Sequence, residues 1–198
     1  MTTRRAACAA VLLLVCAASC RRETAAPSRG LRFARERVVV EVSPGRTRVA
    51  GWYWFSNDSD APLELSLFYP FPVDSVHLYP SEILVERERG SGREPLGFAR
   101  QETGVVWRMA FGPREETAVR VEYVQEILDR HAVYIVTTTR HWARPIDVAE
   151  FEFRVPADIG NVNLSFVPDT KEAAGDTAVY RLKRTRFMPT GDLVVTWD

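Results

Sequence analysis

From residue 31 onward, apolar and polar positions along the chain alternate with a period of two. Val119, Val121 and Tyr123 are interleaved with Arg120, Glu122 and Val124, and Phe151, Phe153 and Val155 with Glu152 and Arg154. Successive side chains of an extended chain point to opposite faces, so such stretches predict half-buried strands. Similar stretches recur at 37–42, 48–56, 63–69, 82–88, 104–111, 161–167, 177–184 and 192–197. Turn-forming clusters separate them, among them Ser43-Pro44-Gly45, Asn57-Asp58-Ser59-Asp60, Gly90-Ser91-Gly92, Gly112-Pro113 and Pro189-Thr190-Gly191. No apolar stripe at helical spacing runs for more than two turns. Short strands at this spacing predict an all-β fold, an antiparallel β-sandwich of about ten strands with an immunoglobulin-like layout, occupying residues 31–198. If that body divides into two packed halves, they meet near 126–131.

Two stretches are apolar on both faces, Trp52-Tyr53-Trp54-Phe55 and Val133-Tyr134-Ile135-Val136. A strand without a polar face is normally covered on both sides, which predicts central strands or strands beneath a crossing loop. The aromatic residues would alternatively suit a stacking platform for a glycan. Core packing is the better reading, because such platforms sit on an otherwise polar face.

Composition supports a packed body, since the 198 residues are 46% hydrophobic with 11% aromatics, enough to fill a core. The formal net charge is zero, and removing Arg4 and Arg5 with a leader reduces the 26 basic residues to 24 against 26 acidic ones. That balance offers no basic excess, so no nucleic-acid partner is expected. Cys8, Cys16 and Cys20 are the three cysteines, all within the first 20 residues. The body therefore has neither a disulfide nor a thiolate metal site.

Thr2-Thr3-Arg4-Arg5 precedes a 13-residue apolar run, residues 6–18, that ends in small residues. A membrane span needs about 20 apolar residues, so this layout predicts a secretory signal peptide over 1–19. Ala17-Ala18-Ser19-Cys20 resembles the bacterial lipobox, although Ala17 stands where that motif usually has Leu or Val. The resemblance implies that Cys20 becomes the lipidated first residue of the mature chain, anchored to a membrane on the extracytoplasmic side of a bacterial cell envelope. Ordinary cleavage after Ser19 would instead leave Cys20 as a free terminal thiol. Two or three acyl chains, at about 0.8 kcal/mol per buried CH₂, would hold the chain stably. With Cys20, residues 20–30 read as a lipidated terminus and flexible tether, because RRETAAPSRG carries Pro, Gly and charge without periodicity.

Residues 50–76, AGWYWFSNDSDAPLELSLFYPFPVDSV, run from an aromatic-rich strand through an Asn-x-Ser turn and a second strand to the break Tyr69-Pro70-Phe71-Pro72. This order is similar to the opening of the vault/inter-alpha-trypsin (VIT) type domain. YIVTTTRHWARPI and FMPTGDLVVTW likewise resemble stretches of uncharacterised bacterial exported domains. The resemblance implies a β-sandwich without catalytic residues or cofactor. The von Willebrand A-type metal-binding domain that commonly accompanies the VIT domain has no counterpart in this sequence.

Motifs of familiar chemistries are missing: there is no Gly-x-Ser-x-Gly, phosphate loop, dinucleotide glycine pattern or His-Glu-x-x-His. His77, His131 and His141 lie on separate segments without a short ligand pair, so they are read as structural or surface residues and no metal site is expected. Glu122, Glu150 and Glu152 take outward positions on alternating strands, the default for a solvated face, although two carboxylates about 5 to 9 Å apart would serve a glycosidase. Asn57 is read as a turn residue. The densest cluster of polar chemistry is HAVYIVTTTRHWARPIDVAEF, residues 131–151. There Thr137, Thr138 and Thr139 are expected to end a strand, Trp142 to fold back on the core, and Pro145 to reset the chain. A reactive site would need a threonine or histidine activated by a carboxylate, and the nearest candidate, Asp147, lies on the following segment. The stretch is therefore read as a structural corner.

These readings converge on a non-enzymatic, membrane-anchored extracytoplasmic lipoprotein that binds or scaffolds another envelope component, a protein or a glycan. Cys20 is its one site residue, with no catalytic, metal-binding or cofactor-binding residues. The alternative is a carboxylate-dependent hydrolase or carbohydrate-acting enzyme with acids borne on loops. A binding module should show an exposed apolar or aromatic surface, and an enzyme a pocket with convergent acids of perturbed pKa.

Overall fold

Alternation sorts the long strands into one buried and one solvated face. A computed structural model describes residues 30–198; the expected signal peptide, Cys20 and nearly all of the tether lie outside the described residues. Strands account for 64% of the described residues and helix for 4%, so the fold is all-β.

Eight strands form a large sheet, in the spatial order β12 (Thr170–Ala174), β13 (Thr177–Phe187), β10 (Ile146–Pro156), β1 (Leu31–Ser43), β2 (Arg46–Asn57), β8 (Glu116–Glu126), β4 (Glu82–Arg89) and β5 (Gly92–Pro95). Two three-stranded sheets accompany it. One runs β11 (Val162–Leu164), β14 (Leu193–Trp197), β9 (His131–Tyr134), and the other β3 (Leu63–Pro70), β7 (Gly104–Phe111), β6 (Ala99–Gln101). The expectation of a wholly antiparallel body fails at one pairing, because β1 and β10 run parallel with Arg35 opposite Val148 and Glu41 opposite Arg154. Parallel neighbours cannot be joined by a tight turn, and here everything from β2 to β9 serves as the crossover.

β1 shows how the layers arise. Leu31, Phe33, Glu36, Val38, Val40 and Val42 are buried on its inner face, whereas Arg35, Arg37 and Glu41 are exposed. A bulge between Phe33 and Arg35 takes up Ala34 and sets this phase. Both small sheets cover the same inner face. The ring of Tyr53 on β2 lies 5.5 Å from that of Tyr69 on β3, and the ring of Phe151 on β10 lies 6.0 Å from that of Tyr134 on β9. One continuous apolar core results, drawing Val38, Val119 and Val121 from the large sheet, Val105 and Phe111 from β7, and Val195 from β14.

The fourteen strands of the described residues exceed the expected ten or so because three carry no apolar signal. β5, β6 and β12 are exposed at every position and extend sheet edges through backbone pairing, which β5 and β12 supplement with surface ion pairs. The doubly apolar stretches also divide. β2 is an interior strand, but only Tyr53 and Phe55 are buried; Trp52 and Trp54 lie half-buried on the outer face, so core packing holds for two of the four. β9 is an edge strand, not a central one, and it ends at Tyr134.

Thr137–Trp142 forms a short 3₁₀ helix where a strand end was expected. The Asp192 carboxylate accepts the N–H groups of Val136 at 2.9 Å and Thr137 at 3.0 Å, so a distant residue caps the first turn and overrides the strand preference of threonine. Arg140 donates to the carbonyls of Pro189 and Thr190 at 3.0 and 2.6 Å. The Trp142 ring then lies 5.7 Å from Phe33 and 5.6 Å from Phe55. The segment is a corner closed by a tryptophan. Asn57 makes the turn between β2 and β3, donating from Nδ2 to the carbonyls of Ala61 and Gly112 and accepting the Ser59 N–H. In urea titrations, Trp142→Ala should lower the unfolding free energy by about 2 to 4 kcal/mol, as loss of a partly buried aromatic does. The exposed His141→Ala should change it by less than about 0.5 kcal/mol, and comparable losses would contradict the corner.

Candidate functional site

The outer face of the large sheet carries an ordered set of charges. Cross-strand register places Lys183, Glu150, Arg37, Trp52, Arg120 and Glu86 in one row over six strands. Lys183 lies 2.8 Å and Arg35 3.1 Å from the two oxygens of Glu150, and Arg120 lies 2.9 Å from Glu86 while also pairing with Glu122. The guanidinium groups of Arg37 and Arg120 sit 5.9 and 5.6 Å from the ring of Trp52, and that of Arg35 sits 4.7 Å from Trp54. Such contacts contribute roughly 0.5 to 1 kcal/mol each when exposed, and they account for tryptophans on a solvated face. Beside this row is an open depression of about 410 Å³, lined by Arg37, Glu150, Glu152, Asp169, Arg181 and Lys183.

The carboxylates named from the sequence do face outward, and each is neutralised. A hydrogen bond from Lys183 leads the causes that hold the Glu150 carboxyl below the usual range. Burial pushes Glu152 up, but hydrogen bonds from Arg154 and Arg181 outweigh it and leave that carboxyl low as well. A glycosidase needs one carboxyl kept protonated, and neither of these meets that requirement. Asp147 pairs with Arg32 on β1, and among the described residues it makes no hydrogen bond to a threonine or histidine of the 3₁₀ helix.

The histidines do not converge on one centre. His141 is exposed, His131 half-buried and His77 buried. The rings of His77 and His131 are 5.1 Å apart, yet both nitrogens of His77 are engaged, Nδ1 with the Asp74 carboxylate at 3.0 Å and Nε2 with the His131 carbonyl at 2.8 Å. Asp74 also accepts the N–H groups of Val76 and His77 at 2.8 and 2.9 Å. His77 thus fastens the loop after β3 to the start of β9. Among the described residues, no group of three His, Cys, Asp or Glu side chains is placed to hold a metal ion.

A second polar cluster, absent from the sequence reading, lies inside the core. The Tyr53 hydroxyl is 2.8 Å from that of Tyr69 and 2.9 Å from that of Tyr134, joining β2, β3 and β9. Glu36 stands opposite Tyr53 in the β1–β2 register, with 3% of its surface exposed and its Oε1 without a hydrogen-bond partner. Burial pushes the Glu36 carboxyl up to about 8.

No family model matches the chain, and no curated protein matches it in sequence. Solved structures do match in fold. A proposed nutrient-binding protein from Legionella pneumophila superposes with a TM-score of 0.60 at 12% identity, over 86% of this chain and 67% of that one. Two structures of two-domain M1 zinc metallopeptidase variants, bound to L-tryptophan and to L-arginine, reach TM-scores of 0.50 at 15% and 16% identity. Each match covers 86% of this chain, which spans 43% of the metallopeptidase length. At these identities the likeness is one of fold alone, and the class it defines is an all-β body of packed sheets.

The Asp74 contacts generate an acid-side prediction. The Val76 N–H is the leading cause that lowers the Asp74 carboxyl to about 2 from its ordinary 3.8. Its folded value is depressed, so its stabilisation is present above about pH 4 and is lost as pH falls toward 2. Asp74→Ala should weaken the fold near neutrality by about 1 kcal/mol or less, since the carboxylate is largely exposed, and should flatten the loss between pH 4 and 2 seen in denaturant titrations. Identical acid limbs for parent and variant would count against the assignment.

Proposed function

We propose that the chain is a non-enzymatic extracytoplasmic lipoprotein, anchored through an acylated Cys20, whose body binds or scaffolds another component of the bacterial cell envelope. The observation that carries the binding reading is the outer face of the large sheet, where Trp52 and Trp54 lie half-buried beneath Arg35, Arg37 and Arg120 on a broad and shallow surface. Aromatic rings and guanidinium groups presented together are the groups most enriched where proteins meet partners. The ionised, paired state of Glu150 and Glu152 favours recognition over acid catalysis on this face. A fold shared with a proposed nutrient-binding protein is in keeping with a binding role. The immunoglobulin-like or VIT-like form of the sandwich belongs to the same proposal, supported by the two small sheets packed on one face of the large one.

A photo-crosslinking residue placed at Arg37 in cells should trap a discrete envelope species, and Trp52→Ala should abolish that adduct. A crosslinker at Lys171, on the sheet's far edge, should trap nothing comparable. Absence of an adduct at Arg37, or equal yields from both positions, would overturn the assignment of this face. The anchor is tested separately. Intact mass of the parent protein should show acyl chains on a chain beginning at Cys20, and Cys20→Ser should leave the membrane fraction; an unlipidated parent or a membrane-retained variant refutes it.

A further inference from the structure

Among the described residues, the inner face of the large sheet holds an acid without a counter-charge. Register across that face runs Arg184, Ala149, Glu36, Tyr53, Val119, Arg87. The cations at the two ends of the row have carboxylates of their own, Arg184 with Asp169 at 2.7 Å and Arg87 with Glu115 at 2.5 Å. β10 presents only Ala149 and Phe151 on this face near Glu36, and the 3₁₀ helix presents Trp142 to Phe33 and Phe55 while its His141 is exposed. What remains around the carboxyl is a set of hydroxyls, Tyr53 from β2, Tyr69 from β3 and Tyr134 from β9, each of which feels the Glu36 charge. Two of the bonds among them tie the small sheets to the large one.

We propose that the Glu36 carboxyl is a pH-sensitive latch on this junction: while it is protonated the tyrosine hub stays closed, and its ionisation loosens the grip of both small sheets on the large one. A buried carboxylate with no cation is strongly disfavoured, and it must find donors or water. The hub's two hydrogen bonds use two of its three hydroxyl protons, so one at most is free to answer the carboxylate. Meeting its remaining acceptor sites takes a proton from a bond between Tyr53 and Tyr69 or Tyr134, or admits water through the same seam. The tyrosines cannot respond by ionising, because burial raises Tyr53, Tyr69 and Tyr134 above their ordinary value. Burial pushes the folded-state carboxyl up to about 8 from its ordinary 4.5, so the stabilisation of the closed hub is complete below about pH 4.5 and is lost as pH rises through 8.

The test uses the full chain and its Glu36→Gln variant, which keeps the shape and removes the titration. Between pH 6 and 9 the unfolding equilibrium constant of the parent should rise at least about tenfold relative to the variant. The side-chain carboxyl ¹³C shift of Glu36 should titrate with a midpoint near 8, and above it the amides of Tyr69 and Tyr134 should exchange faster in the parent than in the variant after correction for intrinsic rates. Parallel stability profiles, or a carboxyl midpoint in the ordinary acidic range, would overturn the latch. If Glu36→Gln fails to fold, the parent alone decides: coincident midpoints for the carboxyl shift and for Tyr134 amide exchange support the proposal, and separate midpoints refute it.

Discussion

The Tyr53 hydroxyl is the point through which three sheets meet, with Tyr69 at 2.8 Å and Tyr134 at 2.9 Å. It reaches that point because β2 has a glycine two residues earlier. A Cβ on Gly51 would stand 1.9 Å from the hydroxyl, so the tyrosine side chain lies back over the glycine on the inner face. From this centre the aromatic packing spreads in two directions. Tyr69 contacts Phe71 and Tyr123 beneath one small sheet, and Tyr134 contacts Phe151, which contacts Phe187, beneath the other. Apolar contacts alone tolerate sliding, whereas hydroxyls in a dry core accept few partners at fixed distance. The hub therefore fixes where each small sheet sits on the large one.

The same desolvation rule gives the two faces of the large sheet opposite chemistry. Outside, water screens the charges, and arginines can lie over tryptophan rings while still reaching glutamates on neighbouring strands. Each such ion pair contributes roughly 0 to 1 kcal/mol, so their value is in covering apolar rings without drying the surface. Inside, a lone carboxyl is costly and stays protonated. The open edges follow the outer logic, since β12 carries Lys171 and β5 carries Arg93 and Pro95, residues that discourage further strand pairing.

Period-two alternation made the strand composition legible from sequence, and the outward placement of Glu150 and Glu152 followed from the same rule. It was silent where strands are exposed on both faces, as in TKEAA and GREP. It misled at Trp52 and Trp54, because a face of tryptophans reads as buried unless the arginines stacked on it from β1 and β8 are known, and those come from other parts of the chain. The 3₁₀ helix depended on a cap from Asp192, far along the sequence. Glu36 was within reach, since counting back by twos from Val42, Val40 and Val38 lands on it. Its flanking Arg35 and Arg37 make the segment look like a solvated charge run, which hides one inward-facing acid. The hub itself needed Tyr69 and Tyr134 brought to Tyr53 from 16 and 81 residues away, a juxtaposition that no local pattern contains.

β1 connects these features to whatever precedes residue 30. It is zipped on both sides, antiparallel to β2 and parallel to β10, and it carries Arg35 and Arg37 outward and Glu36 inward. A load applied at Leu31 and parallel to the strands would be shared by both ladders at once instead of opening one pair at a time. The bulge at Phe33 and Arg35 lies at the loaded end, with the rings of Phe55 and Trp142 packed against Phe33. An edge strand such as β12 would peel under the same pull. β1 thus carries both chemistries, with Arg35 and Arg37 over the tryptophans of the outer face and Glu36 opposite Tyr53 on the inner one.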